Sequence, residues 1–110
     1  MTTPGGSRRA AWQPGTPLLE GAVALVAGGG RGIGEATTRL LAAAGAAVGV
    51  LDVDAARAEG LSASLRADGA TAVPRVADLS DEGACAAAVE TLVRELGGVD
   101  VLANVAGGMT

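Results

Sequence analysis

Short apolar runs and longer stretches of helical period alternate along this 110-residue chain, and that alternation restricts its fold more than any other feature. Ala22 to Ala27 (AVALVA) is wholly apolar and stops at glycines, as a strand buried on both faces does. Ile33, Ala36, Thr37, Leu40, Leu41 and Ala44 then recur at three- and four-residue spacing, which predicts a helix with Gly45 at its carboxyl cap. Ala46 to Leu51 (AAVGVL) predicts a second strand ending at Asp52. Asp54 is placed to cap a helix through about Ala67, although Gly60 in its interior costs roughly 1 kcal/mol relative to Ala. Asp68-Gly69 turns the chain into a third strand, Thr71 to Val76, which Pro74 marks as an edge strand. Ser80 is placed to cap a helix whose apolar face is Ala84, Ala88, Val89, Leu92, Val93 and Leu96. Gly97-Gly98 ends it, and Val99 to Ala103 predicts the fourth strand.

The order β-α-β-α-β-α-β with short loops implies an α/β fold. A parallel sheet with right-handed crossovers follows, the first half of a doubly wound, Rossmann-type sheet. Residues 1–20 hold three of the four prolines and read as a flexible leader, leaving residues 21–110 as one domain. The chain is 49% hydrophobic but has one aromatic, Trp12, so its core is built from small side chains that bury little area each. A formal charge of −4 excludes the basic footprint of a nucleic-acid partner. The longest uncharged apolar run, Leu40 to Leu51, is too short to span a bilayer, which excludes a membrane anchor within it. Arg8-Arg9 is followed by no apolar core of the kind a signal peptide needs, so a cytoplasmic location is expected.

His, Tyr, Phe and Lys are all absent; the eight basic residues are arginines. That removes His general bases, Lys Schiff bases, the P-loop lysine and Tyr acids. One cysteine, Cys85, cannot build a zinc site or an intrachain disulfide, and its place beside the last helix's apolar stripe suits a small packing residue. Glu90 and Arg94 have the spacing of an exposed ion pair.

Ala27-Gly28-Gly29-Gly30-Arg31-Gly32-Ile33-Gly34 joins the first predicted strand to the first helix. G-x-G-x-x-G fits in no register; G-x-x-x-G-x-G fits at Gly28, Gly32 and Gly34. With 18 glycines in the chain, three spaced ones carry little weight alone. Their place between an apolar run and a strongly periodic helix is what points to the pyrophosphate of a dinucleotide. Glycines let the backbone approach the phosphates, and the helix amino terminus offers free N–H groups and partial positive charge.

Asp52, eighteen residues beyond Gly34, is placed to accept hydrogen bonds from both adenosine ribose hydroxyls and to repel a 2′-phosphate. An ordinary strand-ending turn residue is the plainer reading of it. Arg31 pulls the other way, since a basic residue in the loop can hold a 2′-phosphate. Val53 and Asp54 follow Asp52 with no basic residue, so NAD is favoured over NADP. Asp78-Leu79 either meets the adenine, Asp78 accepting from the amino group and Leu79 packing on the ring, or belongs with Ser80 to the capping of the next helix.

At Asn104-Val105-Ala106-Gly107 the chain resembles the short-chain dehydrogenase/reductase family, which carries T-G-x-x-x-G-I-G after strand one and N-N-A-G after strand four. Here Ala27 replaces the Thr and Val105 the second Asn; Gly28, Gly32, Ile33 and Gly34 match. The family's Asp-hydrophobic pair looks like Asp78-Leu79, and its NAD-selective acid looks like Asp52. The likeness covers about Gly21 to Gly107. It implies that Asn104, Ala106 and Gly107 lie beside the cofactor. It also implies hydride transfer between a nicotinamide cofactor and a small alcohol or ketone, and leaves room for a homo-oligomeric complete enzyme. The family's catalytic Ser, the Tyr and Lys of Y-x-x-x-K, and a later Asn all lie beyond its N-N-A-G segment. No catalytic residue is therefore assigned in this chain. It reads as the cofactor-binding amino-terminal half of such an enzyme, truncated or incompletely recorded. Such a half-sheet, its fourth strand without neighbours, is expected to dissolve poorly in isolation.

Two other readings compete. One is a nucleotide-binding module without activity. The other is an S-adenosylmethionine methyltransferase, which shares the glycine loop and the acids but more usually shows G-x-G-x-G and gives Asn104-Val105-Ala106-Gly107 no purpose.

Overall fold

A computed structural model describes residues 18–105; most of the expected leader, and Ala106 and Gly107, lie outside them. The elements are β1 (Val23–Ala27), α1 (Gly32–Ala43), β2 (Ala47–Asp52), α2 (Ala55–Ala67), β3 (Ala72–Val76), α3 (Glu82–Leu96) and β4 (Val101–Asn104). All strands pair in parallel, in the order β3-β2-β1-β4. This is the first half of a doubly wound sheet.

The continuous apolar runs follow from helices on both faces. Ala24, Val48, Val50 and Ala72 pack with Ala58, Leu61 and Leu65 of α2, and Leu41 and Ala42 of α1 join them. Val23 and Leu25 point the other way, onto Leu92, Val89 and Val93 of α3. Gly49 inside β2 has a packing reason. A Cβ there would lie 2.7 Å from Leu25 and 3.2 Å from Leu92, so its absence seats the fully buried Leu92 against the strand.

Pro74 does sit in an edge strand, β3, where a missing N–H costs no ladder bond. At the start of β4, Asp100 ties the strand to β1 twice. Its backbone N–H donates to the Val23 carbonyl, and its carboxylate accepts from the Val23 N–H, both at 2.8 Å. Gly45 follows α1 with φ +103, the left-handed turn expected of it.

Four local expectations need correction. Of the predicted α1 stripe, Leu41 packs on the core and Ala44 is buried, but Ile33 and Leu40 are exposed at 76% and 49%, and Gly34 and Thr38 take the buried positions of the first turns. Small residues face inward because α1 starts pressed against the glycine loop, where a side chain at Gly34 would strike the Gly28 carbonyl. The cap of α3 is Asp81, whose carboxylate accepts from the Ala84 N–H at 3.1 Å, while Ser80 is bound to Asp78. Val99 lies before β4 and is exposed, because the pairing of β4 with β1 starts at Val101. Glu90 and Arg94 form no ion pair among the described residues; Arg75 of β3 instead pairs with Glu95 of α3.

Candidate functional site

The strand register brings the carboxyl ends of all four strands to one edge. Ala27 at the end of β1 stands beside Leu51 on one side and Asn104 on the other, and Asp52 stands beside Val76. The chain runs outward from β1 to β2 and β3, then returns to place β4 on the far side of β1. The crevice between β1 and β4 is the switch point where open α/β sheets bind ligands.

The loop from Gly28 to Arg31 crosses this edge. Gly28 has φ +80, a left-handed conformation that turns the chain sharply out of β1. Its N–H donates to the Leu51 carbonyl at 2.7 Å, and the Gly29 N–H shares that acceptor at 3.3 Å. The Gly30 N–H donates to Oδ2 of Asp52 at 2.9 Å. The first three amides of the loop are therefore spent on β2.

The next amides are open. Arg31 takes an extended conformation ahead of α1 and offers no side-chain cap, and the first turn closes only with the Glu35 N–H on the Arg31 carbonyl. Among the described residues, no acceptor meets the N–H groups of Gly32, Ile33 and Gly34. By contrast, Asp54 caps α2 through the Arg57 N–H and Asp81 caps α3. An Arg at the positive end of a helix dipole is unfavourable by itself, but suits a site that receives an anion.

Asp52 forms the floor of this corner at 6% exposure. Its second oxygen accepts from the Asp54 N–H at 2.9 Å, so both oxygens are oriented by backbone. Two accepted bonds leave a carboxylate further lone pairs. A Cβ on Gly30 would fall 2.7 Å from Oδ2 of Asp52 and 2.9 Å from the Arg57 Cβ. Gly30 is therefore required by crowding even though the G-x-x-x-G-x-G spacing passes over it.

Asp78 follows β3 at the same edge and is exposed. One of its oxygens accepts from the Ser80 hydroxyl at 2.6 Å and the Ser80 N–H at 2.9 Å, and these bonds hold its carboxyl below the ordinary carboxylate range. Asp78 thus orders the approach to α3 without capping it. Leu79 packs with Leu51, Ala77 and Ala88, and Cys85 lies with its sulfur 3.5 Å from the Asp78 carbonyl. Asn104 is exposed at the end of β4, where the Val105 N–H donates to the Ala27 carbonyl. A cavity of about 640 Å³ opens at the opposite, amino-terminal edge between Ala22, Ala43, Ala46 and Ala70. Of its charged lining residues, Arg39 is paired with Glu35, and the cavity lies away from the convergent donors of the carboxyl edge.

The family model for short chain dehydrogenases matches residues 22–110. The chain belongs to the short-chain dehydrogenase/reductase family. It is 38% identical over 89 residues to 2,3-dihydro-2,3-dihydroxybenzoate dehydrogenase of Bacillus subtilis (strain 168), covering 81% of this chain and 34% of that protein. It is 37% identical, with the same coverage, to D-threitol dehydrogenase of Mycolicibacterium smegmatis. A 7α-hydroxysteroid dehydrogenase solved with NADH and 7-oxo glycochenodeoxycholic acid superposes with a TM-score of 0.81 at 32% identity, over 88% of this chain and 38% of that one. The chain spans about a third of the length of the curated relatives it matches.

In this short-chain dehydrogenase/reductase chain, Gly28, Arg31, Gly32, Ile33, Gly34, Asp52, Asp78, Leu79 and Asn104 all lie at the carboxyl edge. Leu79 turns inward among apolar side chains. Gly29, Gly30 and Thr38 fall outside the positions that the glycine spacing and the strand ends mark. The glycines are visible in the run of three, but Thr38 reads as one more polar residue on a helix. No helix of the described residues is long and apolar enough to cross a membrane, and no cluster of metal-ligating side chains occurs among them.

Proposed function

We propose that this chain binds the adenosine and pyrophosphate portions of a nicotinamide dinucleotide, as the cofactor-binding part of an oxidoreductase acting on a small alcohol or ketone. The observation that carries the reading is the uncapped amino terminus of α1, its free N–H groups at Gly32, Ile33 and Gly34 following Gly30, whose own N–H donates to the Asp52 carboxylate. The donor set fits the group. The three amides and the Arg31 side chain would hold the pyrophosphate, and Asp52 would accept from the ribose hydroxyls. Asp78 would keep one oxygen for the adenine amino group, and Asn104, Ala106 and Gly107 would line the far side of the crevice.

When bound, the nicotinamide supplies the hydride acceptor or donor. The chain's own residues bind and orient. With no Tyr, Lys or His, they offer no acid/base pair on the family's plan, so the 110 residues alone are inactive in our reading. NAD is preferred because Asp52 is a fixed negative charge where a 2′-phosphate would stand. Binding of a small-molecule substrate and any homo-oligomeric assembly belong to the complete enzyme. The work of this chain needs neither membrane nor nucleic acid, and a cytoplasmic setting suits it.

Calorimetric titration of the chain with NADH, NADPH and S-adenosylmethionine tests this. NADH binds most tightly, and Asp52→Ala weakens it by about tenfold, the worth of hydrogen bonds to a charged group, while narrowing the gap to NADPH. Preferential binding of S-adenosylmethionine, or nucleotide affinities unchanged in Asp52→Ala, would overturn the reading.

A further inference from the structure

Thr38 is fully buried at the second turn of α1, although a helix threonine this close to the start would ordinarily face solvent. Its hydroxyl donates to the Gly34 carbonyl at 2.8 Å and stands 3.4 Å from the Gly29 carbonyl. Gly29 rests directly on it: a Cβ added there would fall 2.9 Å from Oγ1 of Thr38 and 3.0 Å from the Val26 carbonyl. The loop glycine is thus gripped between the end of β1 and this one side chain.

The carbonyl of Gly29 and the N–H of Gly30 belong to the same peptide group. No cis bond occurs among the described residues, so the two dipoles point in opposite directions from one rigid plane. One end of that plane faces the Thr38 hydroxyl; the other donates to Oδ2 of Asp52. Rotation of the plane would break both contacts together.

From this we infer that Thr38 is a positioning residue for Asp52. Acting through the Gly29–Gly30 peptide, it sets the carboxylate orientation on which discrimination between a ribose 2′-hydroxyl and a 2′-phosphate depends. The inference rests on the cofactor reading above for its consequence, but the coupling of Thr38 to Asp52 exists in the chain without ligand. The hydroxyl has a single proton, shared between the Gly34 carbonyl at 2.8 Å and the Gly29 carbonyl at 3.4 Å, with the shorter contact the stronger.

Two variants separate the hydroxyl from the methyl: Thr38→Val keeps the shape, and Thr38→Ser keeps the donor. Amide hydrogen exchange of the ligand-free chain, with the Gly30 rate referred to that of Val48 in β2, reads the peptide itself. Calorimetry with NADH and NADPH reads the consequence. Thr38→Val accelerates relative exchange at Gly30 about fivefold and reduces the NADH-over-NADPH preference by a similar factor, the worth of about one hydrogen bond. Thr38→Ser stays close to the parent in both. Should Thr38→Val leave the Gly30 rate and the preference unchanged, or Thr38→Ser match Thr38→Val, the inference fails and Thr38 is a packing residue. Should the parent bind neither nucleotide, the cofactor reading fails, and the Gly30 exchange comparison alone decides the role of Thr38. If Thr38→Val does not fold, Gly30 exchange in Thr38→Ser decides: a rate at the parent's value upholds the inference, and a rise refutes it.

Discussion

At the scale of single residues, the candidate site is an arrangement of backbone amides disciplined by a few carboxylates. Asp52 orients two amides, Asp54 and Asp81 close two helices, and Asp78 binds Ser80. These aspartates sit near the carboxyl edge and none serves a neighbouring lysine or histidine, since the chain has neither. Asp78 provides a pH test. The Ser80 hydroxyl and then the Ser80 N–H favour its ionised form, so its folded pKa lies below the unfolded value of about 4. A depressed carboxylate pKa contributes stability above the unfolded value and loses it as pH falls through the folded one. In a carbon-detected NMR titration Asp78 therefore protonates at lower pH than an ordinary aspartate, and Ser80→Ala moves that midpoint upward. A midpoint unmoved by Ser80→Ala would assign the shift to something other than the hydroxyl.

At the scale of elements, the strands were legible because burial on both faces leaves an uninterrupted apolar run, as in VALVA of β1. The helices were legible in extent but less so in rotation. In α1 Ile33 and Leu40 point outward while Leu41 packs on the core, and near the loop the inward positions are Gly34 and Thr38, because the approach to the loop demands small residues. Hydrophobic period assumes that the largest side chains face the core, and here a close backbone contact outranks them. The cap of α3 was ambiguous for another reason. Asp78, Ser80 and Asp81 all have capping chemistry, and only the hydrogen bonding separates their roles. Asp81→Ala therefore destabilises the chain by about 1 kcal/mol in urea unfolding, a typical capping loss. Ser80→Ala, which removes an exposed contact, costs less. The reverse order would return the cap to Ser80.

Legibility of the site was likewise uneven. Gly28, Gly32, Gly34 and Asp52 declare themselves by spacing from strand ends. Gly30 and Thr38 matter through contacts with Asp52 and Gly29 that join residues far apart in role but not in pattern. No periodicity announces a threonine buried beneath a loop.

At the scale of the whole molecule, the sheet has two unlike edges. On β3, Pro74 and Arg75 discourage further pairing, as guarded edges do. On β4, Val101, Leu102 and Ala103 carry no such guard, and Leu102 is 64% exposed. The outer stripe of α1 adds Ile33 and Leu40 to the uncovered apolar surface. Matched relatives are more than twice as long as this chain. Alone, the 110-residue chain is expected to self-associate with rising concentration in sedimentation analysis, and Leu102→Lys is expected to reduce that association. A monomer at all concentrations would show that the β4 edge is not sticky enough to matter.

Where a dinucleotide lands decides the role of the carboxyl edge. Titration of the isotopically labelled chain with NADH, followed by amide NMR, reports this directly. The prediction is that the largest shifts fall on Gly32, Ile33 and Gly34, with Gly30 and Asp54 responding through Asp52. Shifts confined to the amino-terminal cavity around Ala43, Ala46 and Ala70, with those loop amides unmoved, would contradict it.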